Sequence, residues 1–117
     1  MLKSSIITEV AVDTDLVDAP LRCHPGEILK EEFLLPLGLS ANKLAIALRV
    51  PSGRIVDIIN EKRGVSADTA LRLAQYFNMS AGFWINLQAD FDLAIAQDQK
   101  GDAIARDIIP MATQQAA

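Results

Sequence analysis

Cysteine and histidine each occur once, side by side as Cys23 and His24, and that scarcity excludes several chemistries. A single cysteine cannot form an internal disulfide. Without a CxxC pair or clustered histidines the chain offers no metal-ligand spacing. Neighbours in sequence rarely present a nucleophile and its base to each other, so Cys23 reads as a loop thiol and His24 as a helix start. There is no HExxH, no phosphate-binding glycine loop and no credible triad, and Glu27, Glu31 and Glu32 read as a solvated helix face. An enzyme is therefore not expected, nor a cofactor, a metal or a small-molecule substrate. No run of about 18 uncharged apolar residues occurs, and the start lacks the basic-then-apolar pattern of a signal peptide. A cytoplasmic protein with no membrane partner is expected. The 117 residues fit one domain with modest tails, because two separate cores would each be marginally buried.

Positive charge is also scarce, the net being −4, whereas phosphate binding usually leaves a basic footprint. Its distribution reverses the inference. Between Lys43 and Arg63 stand Lys43, Arg49, Arg54, Lys62 and Arg63 against only Asp57 and Glu61, a local excess of +3. Acid collects instead before residue 24 and after residue 89, so one face can meet DNA while the ends stay acidic.

What the chain does contain is helical punctuation. Residues 1–23 carry no sustained helical stripe and read as an arm. His24-Pro25-Gly26-Glu27 opens a first helix, since proline suits its first position and a carboxylate its positive end. That helix is expected from Pro25 to about Leu34, stopped by Pro36 and Gly38. Ser40 then caps a second, with Ala41, Leu44, Ala45 and Leu48 at buried-stripe spacing. Val50-Pro51-Ser52 interrupts before a third, whose stripe is Ile55, Ile58 and Ile59 and whose exit is Gly64. Ser66 caps a fourth helix with Ala70, Leu73, Ala74 and Phe77 inward, ended by Asn78. Ser80 caps a fifth, with Trp84, Leu87, Phe91, Ala94 and Ile95 along one side. From Gly101 the small and polar residues around Pro110 read as a tail. The expected division is an arm over 1–23, a domain over 24–100 and a tail over 101–117.

Two short helices joined by about three residues, a small residue early in the first and an aliphatic one early in the second, form a helix-turn-helix pattern. Ala45 lets the third helix cross closely, and Ile55 plugs the core. Arg49 stands where the turn tends to need positive φ and a glycine is usual; it is either kept for a phosphate or simply tolerated there. Stepping about 100° per residue from Ile55, the face opposite the core holds Gly53, Val56, Asp57 and Asn60. Ser52 and Arg54 lie on its flanks. Val56 can touch a thymine methyl, and Asn60 can pair with adenine or bind a phosphate. Asp57 either accepts from a cytosine amine or pairs with Arg54 one turn back. Arg54 is the expected main polar contact. Ser40, Lys43, Arg49, Lys62 and Arg63 are the expected phosphate contacts.

The run HPGEILKEEFLLPLGLSANKLAIALRVPSGRI, then Asn60, Lys62-Arg63 and SADTALRLAQYFNMSAGFWINLQADFDL, closely resembles HigA-type antitoxins of the XRE, or Cro-like, helix-turn-helix class. The match spans about residues 24–95. Its most diagnostic pieces are HPGEIL, ADTALRLA and the FW-x-NLQ-x-x-F-D-L stretch. The resemblance implies an all-α, five-helix Cro/lambda-repressor-like domain with flexible tails, and dimerisation through the C-terminal helical region. It also implies a palindromic operator in the protein's own promoter and a HigB-type toxin partner of RelE-like fold. Phe83, Trp84, Leu87 and Phe91 are then dimer or core residues.

Two stretches depart from the family's pattern. Asn60-Glu61-Lys62-Arg63 stands where Asn-Gly-Lys-Arg is common, which loses a flexible cap and adds negative charge near the expected phosphate path. Ser52-Gly53 replaces longer polar or basic side chains. Both lower the expected operator affinity. The alternatives are a solitary helix-turn-helix regulator without a toxin and a protein-interaction module with weak DNA binding.

Overall fold

The computed structural model describes residues 23–112. The arm expected before Cys23 and the last residues of the expected tail lie outside them. Among the described residues five helices follow in chain order. The first, α1, spans residues 25–37 as three contiguous segments, Pro25–Ile28, Leu29–Leu34 and Leu35–Leu37. Then come α2 (Ala41–Leu48), α3 (Ser52–Ile59), α4 (Ala67–Phe77) and α5 (Ala81–Asp107). No strand occurs among the described residues.

Local chemistry explains most helix starts. Ser40, Ser66 and Ser80 each turn the side-chain oxygen back to accept a backbone N–H, from Lys43, Thr69 and Gly82 respectively. His24 does the same for α1 with imidazole: Nδ1 accepts from the Gly26 N–H at 2.9 Å. The ring is buried and meets Phe91 of α5 edge-on at 4.9 Å. Cys23 is half-buried beside Glu27, and burial first, then that carboxylate, pushes its thiol up to about 11. A protonated thiol is a poor nucleophile at neutral pH, in keeping with a loop role.

Two helix ends differ from expectation. Pro36 predicts a stop at Leu34, but α1 runs on to Leu37. Its middle segment is π-helical, with the Leu35 N–H bonded to the Lys30 carbonyl five residues back. That wider register gives room to a proline ring that would clash with the preceding turn of an ordinary α-helix. Likewise α5 passes through Gly101 to Asp107, where a tail is expected. One glycine costs a helix only about 1 kcal/mol, and the residues after it are helix-compatible. The true stop is Ile108, extended at φ −106° two residues before Pro110.

The core gathers Leu29 and Leu34 from α1, Leu44, Ala45 and Leu48 from α2, and Ile55 and Ile58 from α3. Val65, Ala70, Leu73 and Trp84 complete it. At roughly 1.5–3 kcal/mol per buried large apolar side chain, this cluster is the main stabilising term. Trp84 lies between Phe33 and Phe83, with ring centroids at 5.2 and 5.1 Å. Gln88 of α5 accepts from the Val65 N–H at 2.7 Å and so ties the α3–α4 loop to the last helix.

Candidate nucleic-acid interface

The four shorter helices share one terminator. Gly38, Arg49, Glu61 and Asn78 all take left-handed φ, at 62°, 61°, 63° and 54°. In each case the next amide bonds back across the end, as Val50 does to Ala45 and Lys62 to Asp57. Glycine and asparagine suit that conformation; arginine and glutamate do not. The two poorly suited residues are the ones that bracket α3. Arg49 matches the positive φ expected of the turn. Gly64, by contrast, is not the terminator of α3, because the left-handed residue is Glu61. A Cβ at Gly64 would instead press on the Gln88 side chain. Glu61→Gly should therefore raise stability by about 0.5–1 kcal/mol in urea unfolding. An unchanged or lower midpoint would show that the glutamate side chain compensates for its strained backbone.

Ala45 and Ile55, both buried, hold α2 and α3 together, which leaves the far side of α3 outward. Ser52, Gly53, Val56 and Asn60 are exposed there, and Asp57 is half-buried. Among the described residues a side chain at Gly53 would meet nothing within 4 Å, so none of their contacts demands glycine. Among the described residues no side chain caps the start of α3, which begins after Pro51. Its first amides are thus free to meet an anion. Lys43, Arg49, Lys62 and Arg63 are all exposed. Ser40 is exposed too; its oxygen is engaged in the α2 cap, while its O–H remains able to donate.

Arg54 corrects one expectation. Its partner is not Asp57 but Asp68, at the start of α4: Nη1 donates to Oδ2 at 3.0 Å. Among the described residues no ion pair involves Asp57. Asp68 also accepts from Arg72 Nε at 2.9 Å. The hydrogen bond from Arg72, helped by Arg54, holds its carboxyl below the usual carboxylate range. The pair Asp68 and Arg72 is readable as an i, i+4 match. Its link to Arg54 spans fourteen residues and is not.

On α5, Trp84 is fully buried, while Phe83, Leu87 and Phe91 are half-buried and packed inward. The large apolar side chains left exposed on and after this helix are others: Ile85, Leu93, Ile104, Ile108, Ile109 and Met111. Among the described residues no helix is long and apolar enough to cross a membrane, and no group of three metal-ligating side chains forms.

No protein-family model matches the chain. It is 51% identical over 90 residues to Virulence-associated protein I of Dichelobacter nodosus, covering 77% of this chain and 82% of that one. It is similar to the Pseudomonas aeruginosa antitoxin HigA, solved with the higBA promoter. There the identity is 46%, the TM-score 0.76, and the coverage 78% of this chain and 99% of the other. A HigA-family addiction module antidote protein from Coxiella burnetii gives 42% identity and TM-score 0.74, with 77% and 98% covered. Relatives with a stated role are antitoxins and helix-turn-helix regulators, and the chain is likewise no enzyme.

Proposed function

Because the chain belongs to the HigA family of helix-turn-helix antitoxins, we propose that it binds a palindromic operator in its own promoter as a dimer and neutralises a HigB-type toxin. The observation that carries the DNA half is the outward face of α3. It is solvent-exposed, poor in bulky side chains, open at its amino end, and flanked by Arg54. A relative of 46% identity has been solved with its promoter. On this reading Arg54 reads a base edge, Val56 and Asn60 lie in the major groove, and Ser40, Lys43, Arg49, Lys62 and Arg63 hold phosphates. A second copy would cover the exposed apolar residues of α5, Leu93 and Ile104 among them, and bring two α3 helices to two half-sites. The toxin assignment rests on family membership, and a cytoplasmic location goes with both partners.

The test is a promoter titration at two salt concentrations, together with co-purification of the neighbouring gene product. Four cations per protomer, doubled in a dimer, predict an affinity loss of about 10³-fold or more between roughly 50 and 200 mM salt. Arg54→Ala should weaken operator binding by about 1–3 kcal/mol at matched salt. Promoter binding that is absent or indifferent to salt would favour a protein-interaction module. Operator binding without a co-purifying toxin would favour a solitary regulator.

A further inference from the structure

Asp68 stands in the first turn of α4, off the groove face, yet one carboxylate oxygen serves two helices. Its Oδ2 accepts from Arg54 Nη1 on α3 at 3.0 Å and from Arg72 Nε on α4 at 2.9 Å. Arg72 in turn donates through Nη1 to the carbonyl of Leu48, the last residue of α2, at 2.8 Å. Leu48, Arg72, Asp68 and Arg54 thus form a continuous polar chain from the end of α2, through α4, to α3. Burial does not force it: the side chains of Arg54, Arg72 and Asp68 are 29%, 40% and 58% exposed. Exposed ion pairs contribute little to stability. What the network does supply is geometry. A guanidinium has five N–H donors in a rigid plane, and the contact to Asp68 engages Nη1 alone. The other donors are left for a partner, with the guanidinium already anchored at one atom, which lessens the freedom that two-point reading of a base edge must remove.

We propose that Asp68 is a positioning residue for sequence reading. It holds Arg54 at the flank of the groove face, so that the arginine meets a base edge rather than the nearest phosphate. This rests on the reading of α3 as the recognition helix. The carboxylate then has two effects of opposite sign. Its charge repels any duplex, which weakens sequence-independent binding. Its hold on Arg54 removes rotamer freedom in advance, which favours the operator.

The experiment titrates the full chain with its own promoter duplex and with a scrambled duplex of equal length, at one salt concentration. Four proteins are compared: wild type, Asp68→Ala, Arg54→Ala and the double variant. Asp68 is exposed and alanine suits a helix, so these chains should fold. Asp68→Ala is expected to bind the scrambled duplex more tightly, while the operator-to-scrambled affinity ratio falls about three- to tenfold. In the Arg54→Ala background the same change should leave the ratio where it is, there being no arginine to hold. The inference is overturned if Asp68→Ala raises both affinities equally, which is a charge effect alone. It is overturned too if both fall equally, which is scaffolding alone, or if the ratio shifts as much without Arg54. A wild-type chain that does not prefer its promoter would overturn the recognition-helix reading itself, before any variant is compared.

Discussion

Trp84→Ala should cost the fold about 3–5 kcal/mol, measured by urea unfolding at fixed protein concentration. The side chain is 0% exposed within a single protomer and sits between Phe33 and Phe83 at the crossing of α1 and α5. Truncation would leave a cavity that helices anchored elsewhere cannot collapse into. Among the described residues the indole Nε1 has no hydrogen-bond partner. A buried N–H left unsatisfied costs about 1–3 kcal/mol, so tryptophan already gives up part of its packing gain. Trp84→Phe removes that orphan donor while keeping an aromatic ring, and it should cost less than half as much as the alanine variant. A folded Trp84→Ala with an unchanged midpoint, altered only in association, would move this residue from the core to the seam between protomers.

Gly26→Ala is the other large effect, with an expected loss of about 3 kcal/mol or more. Here α1 passes so close to the end of α3 that an added Cβ would overlap the Ile58 carbonyl oxygen. Backbone cannot rotate aside as a side-chain tip can, so α1 would have to lift. The same carbonyl accepts the Glu61 N–H that closes α3, so the displacement would spread into that terminator. Gly53→Ala is the matched control. Its Cβ meets nothing, and losing glycine in a helix should be neutral or stabilising by up to about 1 kcal/mol. If thermal unfolding moved both variants alike, glycine flexibility rather than close approach would be the cause.

These two residues also mark how far the sequence could be read. Features closed within a few residues are legible. Ser40, Ser66 and Ser80 cap amides two or three positions on, and the left-handed Arg49 and Asn78 follow from their places at helix ends. The inward stripes are legible for the same reason, since Leu44, Ala45, Ile55 and Ile58 repeat at helical spacing and are buried. Features set by a distant neighbour are not. Nothing near Gly26 announces Ile58, and nothing near Arg54 announces Asp68. Helix ends depart from the local signal where a breaker meets a wider context. Pro36 is absorbed by the π-helical register behind it, and Gly101 is carried by helix on both sides. The candidate DNA face was legible as a direction, from the angle opposite Ile55. The hold on its arginine was not.

The unequal fastening of α3 has a mechanical consequence. Ile55 and Ile58 are wholly buried and pin the helix from its middle into its last turn, where Gly26 of α1 also lies against the Ile58 carbonyl, while Ser52 and Gly53 at its amino end are exposed. A rod held over its second half pivots there and is freest at the other tip. Small changes of tilt against a surface would then fall on the turn before α3 and leave the core packing undisturbed. The same eight residues can then settle onto duplexes of slightly different groove width without a second fold.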